Sequence, residues 1–427
     1  MNEDRDMSRS VSEGRNDKGS ILQLQVTWVK AVLLAVLLVG PWIVIGSIVM
    51  RRPAKEQAAI PVVSKAKVRP SVSGPWGELE TTRILIEPPE AFVDMDFSKV
   101  PEVQWWLGDY TVDQAKQLFA DVGLSVSQVD GLMATAQSKI FPKGVSVKPS
   151  RELILALSPE QRAKLYLTLN DWPENSKQVG PYRFPAAVAD EWLANSSLPV
   201  RDIELVKRLT YRHGTMLLFA DLDTVLPMLG NDDERLHLVK TLARTSTLLA
   251  TVRIYPETDV DAMVAYWSKA GRAKDVKPFL TSIPRVPGGI AVDISHLMPP
   301  FARKLIYTYP YPTSELARLR RDCHWTSLNF FREEPDARFE SLAEVKKELE
   351  TNYFVVSGKP SFGDVLLLRQ NDGTILHSCV YVAGDIVYTK NGSQAYIPWS
   401  LMELSDVLAL YSEYESVEVL VYRLKDN

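Results

Sequence analysis

Residues 31–50 read AVLLAVLLVGPWIVIGSIVM, twenty positions without a charge. A helix of that length crosses a hydrocarbon core of ~30 Å. Lys30 and Arg51–Arg52 bound the run, and Trp28 falls where an interfacial ring belongs. Pro41 is tolerated in such a helix. The pattern predicts a single transmembrane helix over 25–50. Before it, the polar and charged residues 1–24 predict a disordered tail. After it, residues 51–75 carry Pro53, Pro61, Pro70 and Pro75 among scattered Lys and Ala, the composition of an extended linker.

From 76 to 305 the apolar positions recur mostly at helical spacing. Ala115, Leu118 and Phe119 follow a Thr111 cap, predicting a helix over 111–122. Ser158-Pro159-Glu160-Gln161 opens another, to Leu169, with proline at its first position. Shorter stretches over 190–194, 200–209, 221–229 and 259–270 repeat the pattern, and Leu236, Val239, Leu242 and Leu249 extend a long amphipathic helix over 232–249. These stretches predict a mostly α-helical middle domain, 76–305, without a fixed repeat period. Trp105–Trp106 reads either as core or as a grip for a sugar or peptide.

In 306–427 the period shortens. Asp322 is a good N-cap for a helix in which Trp325, Leu328 and Phe331 share a face. A second helix, 342–350, precedes an apolar strand, 362–369. Asn371-Asp372-Gly373 is a hairpin signal, with the paired strand at 374–383 and a third at 386–390. A helix over 398–410 and a strand over 416–424 complete the domain. The expected fold is α+β: a transmembrane helix, a helical domain, and a Cys-bearing helix packed on an antiparallel sheet.

Composition narrows the function. The net charge of −4 argues against a partner that is nucleic acid. Two cysteines and five dispersed histidines leave neither a disulfide framework nor a zinc motif, so no metal is expected. No glycine-rich phosphate loop occurs, and no cofactor is expected.

Cys323 stands in the first turn of its predicted helix, where unpaired N–H groups and the helix dipole favour a thiolate and can hold an oxyanion. His377 lies on a strand 54 residues later. That order makes Cys323 a candidate nucleophile and His377 its base, against the alternative of a buried core cysteine. His324 points off another helix face. Strand alternation puts Asn391 on one face with Thr389, as it puts Cys379 on the face of His377. Cys379 reads as a small buried hydrophobe, or as a thiol able to pair reversibly with Cys323.

Over about residues 310–425 the chain resembles the NlpC/P60 superfamily of papain-like cysteine hydrolases. The family's Asp-Cys-x-x-Phe signature is met by Asp322-Cys323-His324-Trp325-Thr326, with the aromatic displaced by one. Its Gly-Asp-Leu strand is met by Gly363-Asp364-Val365-Leu366, and its His-Val-Gly-hydrophobic-Tyr strand by His377-Ser378-Cys379-Val380-Tyr381. The resemblance places the residue that orients the imidazole at Thr389, a poor orienter; Asn391 would serve better. It implies a cysteine peptidase or amidase that cleaves amide bonds of peptidoglycan or a similar peptide. It also implies a soluble part outside the cytoplasm, although the basic residues from Arg51 to Arg69 argue for the cytoplasmic side. The expected protein is therefore a membrane-anchored thiol hydrolase with peptidoglycan peptides or a protein as partner. The alternative is a catalytically inactive binding or scaffold protein of the same fold at the membrane.

Overall fold

The computed structural model describes residues 69–425, apart from 94, 141–142, 195, 284–285, 311–320 and 413–415. The chain opens with β1 (Val72–Gly74) and β2 (Gly77–Ile86), then β3 (Trp105–Gly108), β4 (Gln137–Ile140) and β5 (Lys143–Val147). Strands β6 (Tyr182–Pro185), β7 (Tyr211–His213) and β8 (Met216–Phe219) lie among the helices of the middle region, which ends with β9 (Thr245–Ile254) and β10 (Ile290–Asp293). The last part contributes β11 (Tyr353–Val355), β12 (Val365–Arg369), β13 (Ile375–Ala383), β14 (Ile386–Thr389), β15 (Ser400–Glu403) and β16 (Glu418–Leu424).

Two expectations are corrected. The middle region is not mostly helical: it holds two three-stranded sheets, β3-β5-β4 and β6-β8-β7, and supplies three strands, β2, β9 and β10, of the four-stranded sheet β1-β2-β9-β10. The predicted helices at 111–122 and 158–169 are present, each with its capping box, at Thr111–Gln114 and Ser158–Gln161. The helix that starts at Asp232 stops at Leu242, because Thr245–Ile254 pairs along its length with β2. Its β-branched residues, with Val252 and Ile254 buried and Arg253 exposed between them, follow a period of two rather than 3.6.

The second correction concerns the membrane. Among the described residues no helix is long and apolar enough to cross a bilayer. The longest run eleven residues, as at Val112–Val122, or about 16 Å of rise against the ~30 Å required. Their apolar faces are buried against neighbouring elements. Over the described residues the fold is α+β with no helix able to span a bilayer, which contradicts the expected single-pass membrane architecture and localisation. The tail 1–24 and the segment 25–50 lie outside the described residues, as does the linker up to residue 68.

The six-stranded sheet β11-β16-β12-β13-β14-β15 is antiparallel throughout and carries the candidate site. One hydrophobic core joins it to the middle region, from Leu79 and Trp267 through Phe301 to Trp325 and Leu401. The Thr247 hydroxyl donates to the Leu401 carbonyl and accepts its N–H, at 3.0 and 3.1 Å. The Tyr266 hydroxyl donates to the Val382 carbonyl at 2.7 Å.

The Gly363-Asp364 pair shows why these two residue types stand before β12. Gly363 has φ 86°, and a Cβ there would lie 2.2 Å from the Phe331 ring. Asp364 is fully buried; it accepts the Ser361 N–H at 2.7 Å and both arms of Arg423 on β16 at 2.8 and 2.6 Å. Asp364→Ala strips Arg423 of its bidentate partner and leaves a buried N–H unmet. The expected loss is about 2–4 kcal/mol in denaturant unfolding, and a loss below about 1 kcal/mol would refute this role.

Candidate functional site

Asp322 caps the Cys323–Leu328 helix, its carboxylate accepting the N–H groups of His324 and Trp325, both at 3.0 Å. The Thr326 hydroxyl locks the turn by donating to the Asp322 carbonyl at 2.7 Å. All six helix residues are buried. Trp325 and Leu328 enter the main core, and Trp325 packs on Phe301 and Trp399. Cys323 thus sits in the first turn, as the sequence predicts.

Burial, followed by the neighbouring Asp322 charge, pushes the Cys323 thiol up to about 12. Backbone N–H groups of Ser378, His324 and Cys323 itself pull the other way and are outweighed. Capping of the helix by a carboxylate explains part of this result. The same Asp322 that starts the helix places a negative charge beside the sulfur.

Position on β13 decides what Cys323 meets. Side chains alternate between the faces of a strand. Val380 and Val382 pack in the core with Trp325 and Leu328 of the cysteine helix. Cys379 and Tyr381 pack on the opposite face, with Val407 of the Leu404–Leu410 helix. Ser378 belongs to the first face: its hydroxyl bonds His324 Nδ1 at 2.9 Å and donates to the Ser327 hydroxyl at 3.1 Å. His377 belongs to the second. Its Nε2 bonds the Thr389 hydroxyl at 2.9 Å, its Nδ1 bonds the Tyr411 hydroxyl at 2.9 Å, and the two rings lie 5.0 Å apart.

The hydroxyl chain fixes the tautomer of His377. Thr389 donates its one proton to Asn391 Oδ1 at 3.1 Å, so its oxygen accepts and His377 Nε2 carries the hydrogen. Nδ1 is then the acceptor, and Tyr411 donates to it. Burial, then the nearby His324, depresses the imidazole to about 3, so it is neutral at ordinary pH. A neutral ring with both nitrogens hydrogen-bonded has no free acceptor to offer the Cys323 proton.

The structure joins three of the four sequence-predicted site residues, His377, Thr389 and Asn391, by hydrogen bonds, while the Cys323 thiol is met by the backbone N–H of Ser378, the residue after His377. Asn391 Nδ2 also donates to Met402 Sδ at 2.9 Å. Cys323 and Cys379 are both buried, unbonded thiols, and burial raises Cys379 as well. Tyr411, Ser378 and Lys390 are additions that the sequence did not single out. Lys390, one residue past β14, lies between Thr389 and Asn391 and so takes the face of Ser378. Its ammonium group sits 5.8 Å over the Trp399 ring and donates to the Gly392 and Gln394 carbonyls at 2.5 and 3.2 Å.

On the His377 side a cavity of about 340 Å³ opens. Asn391 and Tyr411, the two ends of the hydroxyl network, line it, together with Tyr182, Arg183 and Arg244 from the middle region. Among the described residues no group of three or more His, Cys, Asp or Glu could hold a metal ion. No protein-family model matches the chain, and neither the curated proteins nor the solved structures contain a match.

Proposed function

We propose that this chain carries an NlpC/P60-like domain that binds a ligand or partner without thiol hydrolysis. The observation that supports this reading is the place of His377. Both of its ring nitrogens are held by hydroxyls, those of Thr389 and Tyr411, at 2.9 Å each. The Cys323 thiol, raised to about 12, stays protonated at neutral pH. Nucleophilic catalysis needs a thiolate within reach of its base.

A second reading, a cysteine peptidase or amidase acting on peptidoglycan-type amide bonds, draws support from the backbone N–H groups that converge on Cys323. They are the donors an oxyanion requires. That reading also requires one nitrogen of His377 to leave its hydroxyl partner, as Nδ1 would leave Tyr411.

Iodoacetamide alkylation of the full-length chain separates the two, with peptide mapping to distinguish Cys323 from Cys379. The expected result is slow labelling of Cys323 below about pH 8, unchanged in His377→Ala. Fast labelling near pH 6, lost in His377→Ala, would overturn the non-hydrolytic reading and restore the ion-paired nucleophile.

A further inference from the structure

The cavity beside the His377 network has a lining of distinct chemistry. Three guanidiniums reach it from separate elements: Arg83 on β2, Arg183 on β6 and Arg244 just before β9. The one carboxylate on the lining is Asp406. The formal charge facing the cavity is three positive against one negative, a net of +2.

The arginines are braced from behind. Arg83 bonds Glu403 and Asp406, both at 2.7 Å, and the Ser246 hydroxyl at 3.1 Å. Arg244 donates to Glu87 at 2.8 Å and to the carbonyls of Trp192 and Ala194. Glu403 and Glu87 offset charge but do not line the cavity. Their effect is to fix the planes of the guanidiniums, which cannot lose their protons and present forked donors.

The other wall is aromatic. Tyr182 and Tyr396 come from opposite sides of the cavity, with ring centroids 6.4 Å apart and planes 38° from each other. Burial raises both phenols, so both remain neutral. Pockets from about 300 Å³ upward hold small molecules, most often through apolar walls and a few placed polar groups.

We propose that this cavity binds a small organic anion. The wall of Arg83, Arg183 and Arg244 attracts its carboxylate or phosphate, with Arg83 and Arg244 fixed by their own partners, and its apolar or aromatic body lies against Tyr182 and Tyr396. The proposal deepens the reading of the chain as a binding module and rests on it. It places the ligand beside Asn391 and Tyr411, the ends of the His377 network.

Calorimetric titration of the full-length chain tests it with four probes: benzoate, phenyl phosphate, neutral benzyl alcohol and inorganic phosphate. Benzoate and phenyl phosphate should saturate one site, with benzyl alcohol and inorganic phosphate at least about tenfold weaker. Arg183→Gln should weaken both aromatic anions about tenfold or more, and Arg183→Lys by less. Tyr396→Ala, in a loop outside the strands, should weaken the aromatic anions and leave inorganic phosphate as it was. The proposal is overturned by absence of saturable binding, by equal affinity for benzyl alcohol and benzoate, or by affinity unchanged in both Arg183→Gln and Tyr396→Ala. Slow Cys323 alkylation without anion binding removes this proposal alone. Fast, His377-dependent alkylation with anion binding intact removes the non-hydrolytic reading alone.

Discussion

Acidification from about pH 7 to about pH 4 will destabilise the wild-type chain by several kcal/mol more than it destabilises His377→Gln. The folded imidazole titrates near 3 because burial, and then His324, resist its charging, whereas the unfolded one titrates near 6.5. A depressed folded value means that the unfolded chain takes up a proton that the folded chain refuses. The stability contributed by His377 is complete above about 6.5 and is lost as pH falls toward about 3. Across that window the loss reaches about 5 kcal/mol, at about 1.4 kcal/mol for each tenfold change in proton activity. Carboxylates titrate over the same range in both proteins, so the difference between the two pH profiles isolates His377. Denaturant midpoints of the two proteins at about pH 7, 6, 5 and 4 measure it. Parallel profiles would show that His377 charges freely, and the closed hydroxyl network would be wrong.

Thr389 was legible as the partner of His377 only through the family resemblance, and Asn391 followed from Thr389 because a strand repeats every two residues. The same rule could not say which face of β13 meets the cysteine helix. Shifting the docking by one residue exchanges every side chain between faces. Ser378, not His377, makes that contact, and only the packing of Val380 and Val382 with Trp325 reveals it. Tyr411 was invisible for another reason. It lies 34 residues from His377 in sequence, beyond the Leu404–Leu410 helix. No local spacing relates the two.

The capping of the cysteine helix and the Gly363-Asp364 turn were readable, since each depends on a few adjacent residues and their backbone geometry. Strand β9 was not. Leu242 and Leu249 satisfy a helical period when they are read across Ala243 and Arg244. What ends the helix is the pairing of β9 with β2, about 160 residues earlier in the chain. Nothing near Thr245 announces that partner, so β propensity and non-local hydrogen bonding won over a plausible helical pattern.

Raising the pH from about 7 to about 9 should stabilise the wild-type chain relative to Lys390→Met by up to about 3 kcal/mol. Burial holds the folded Lys390 amine near 7, against the charges of Cys323 and Asp322 when they are ionised, while the unfolded amine titrates near 10.5. Over that interval the unfolded chain binds a proton that the folded chain has released, so stability climbs as pH rises. Cysteine ionisation over this range is common to both proteins and cancels, so the gain keeps growing until the unfolded lysine itself deprotonates near 10.5. Lys390→Met also leaves the Gly392 and Gln394 carbonyls without their donor. That penalty is the same at each pH and cancels from the slope. Stability curves from urea unfolding at about pH 7, 8 and 9 read the difference. Equal slopes would mean a charged, solvated ammonium beside Cys323. The outcome bears directly on the thiol. A cation next to sulfur lowers its pKa and makes it reactive; an amine that has lost its proton does not. With His377 neutral and Lys390 giving up its proton from about pH 7 upward, the positive charge that a thiolate needs is lost in the range where thiols ionise.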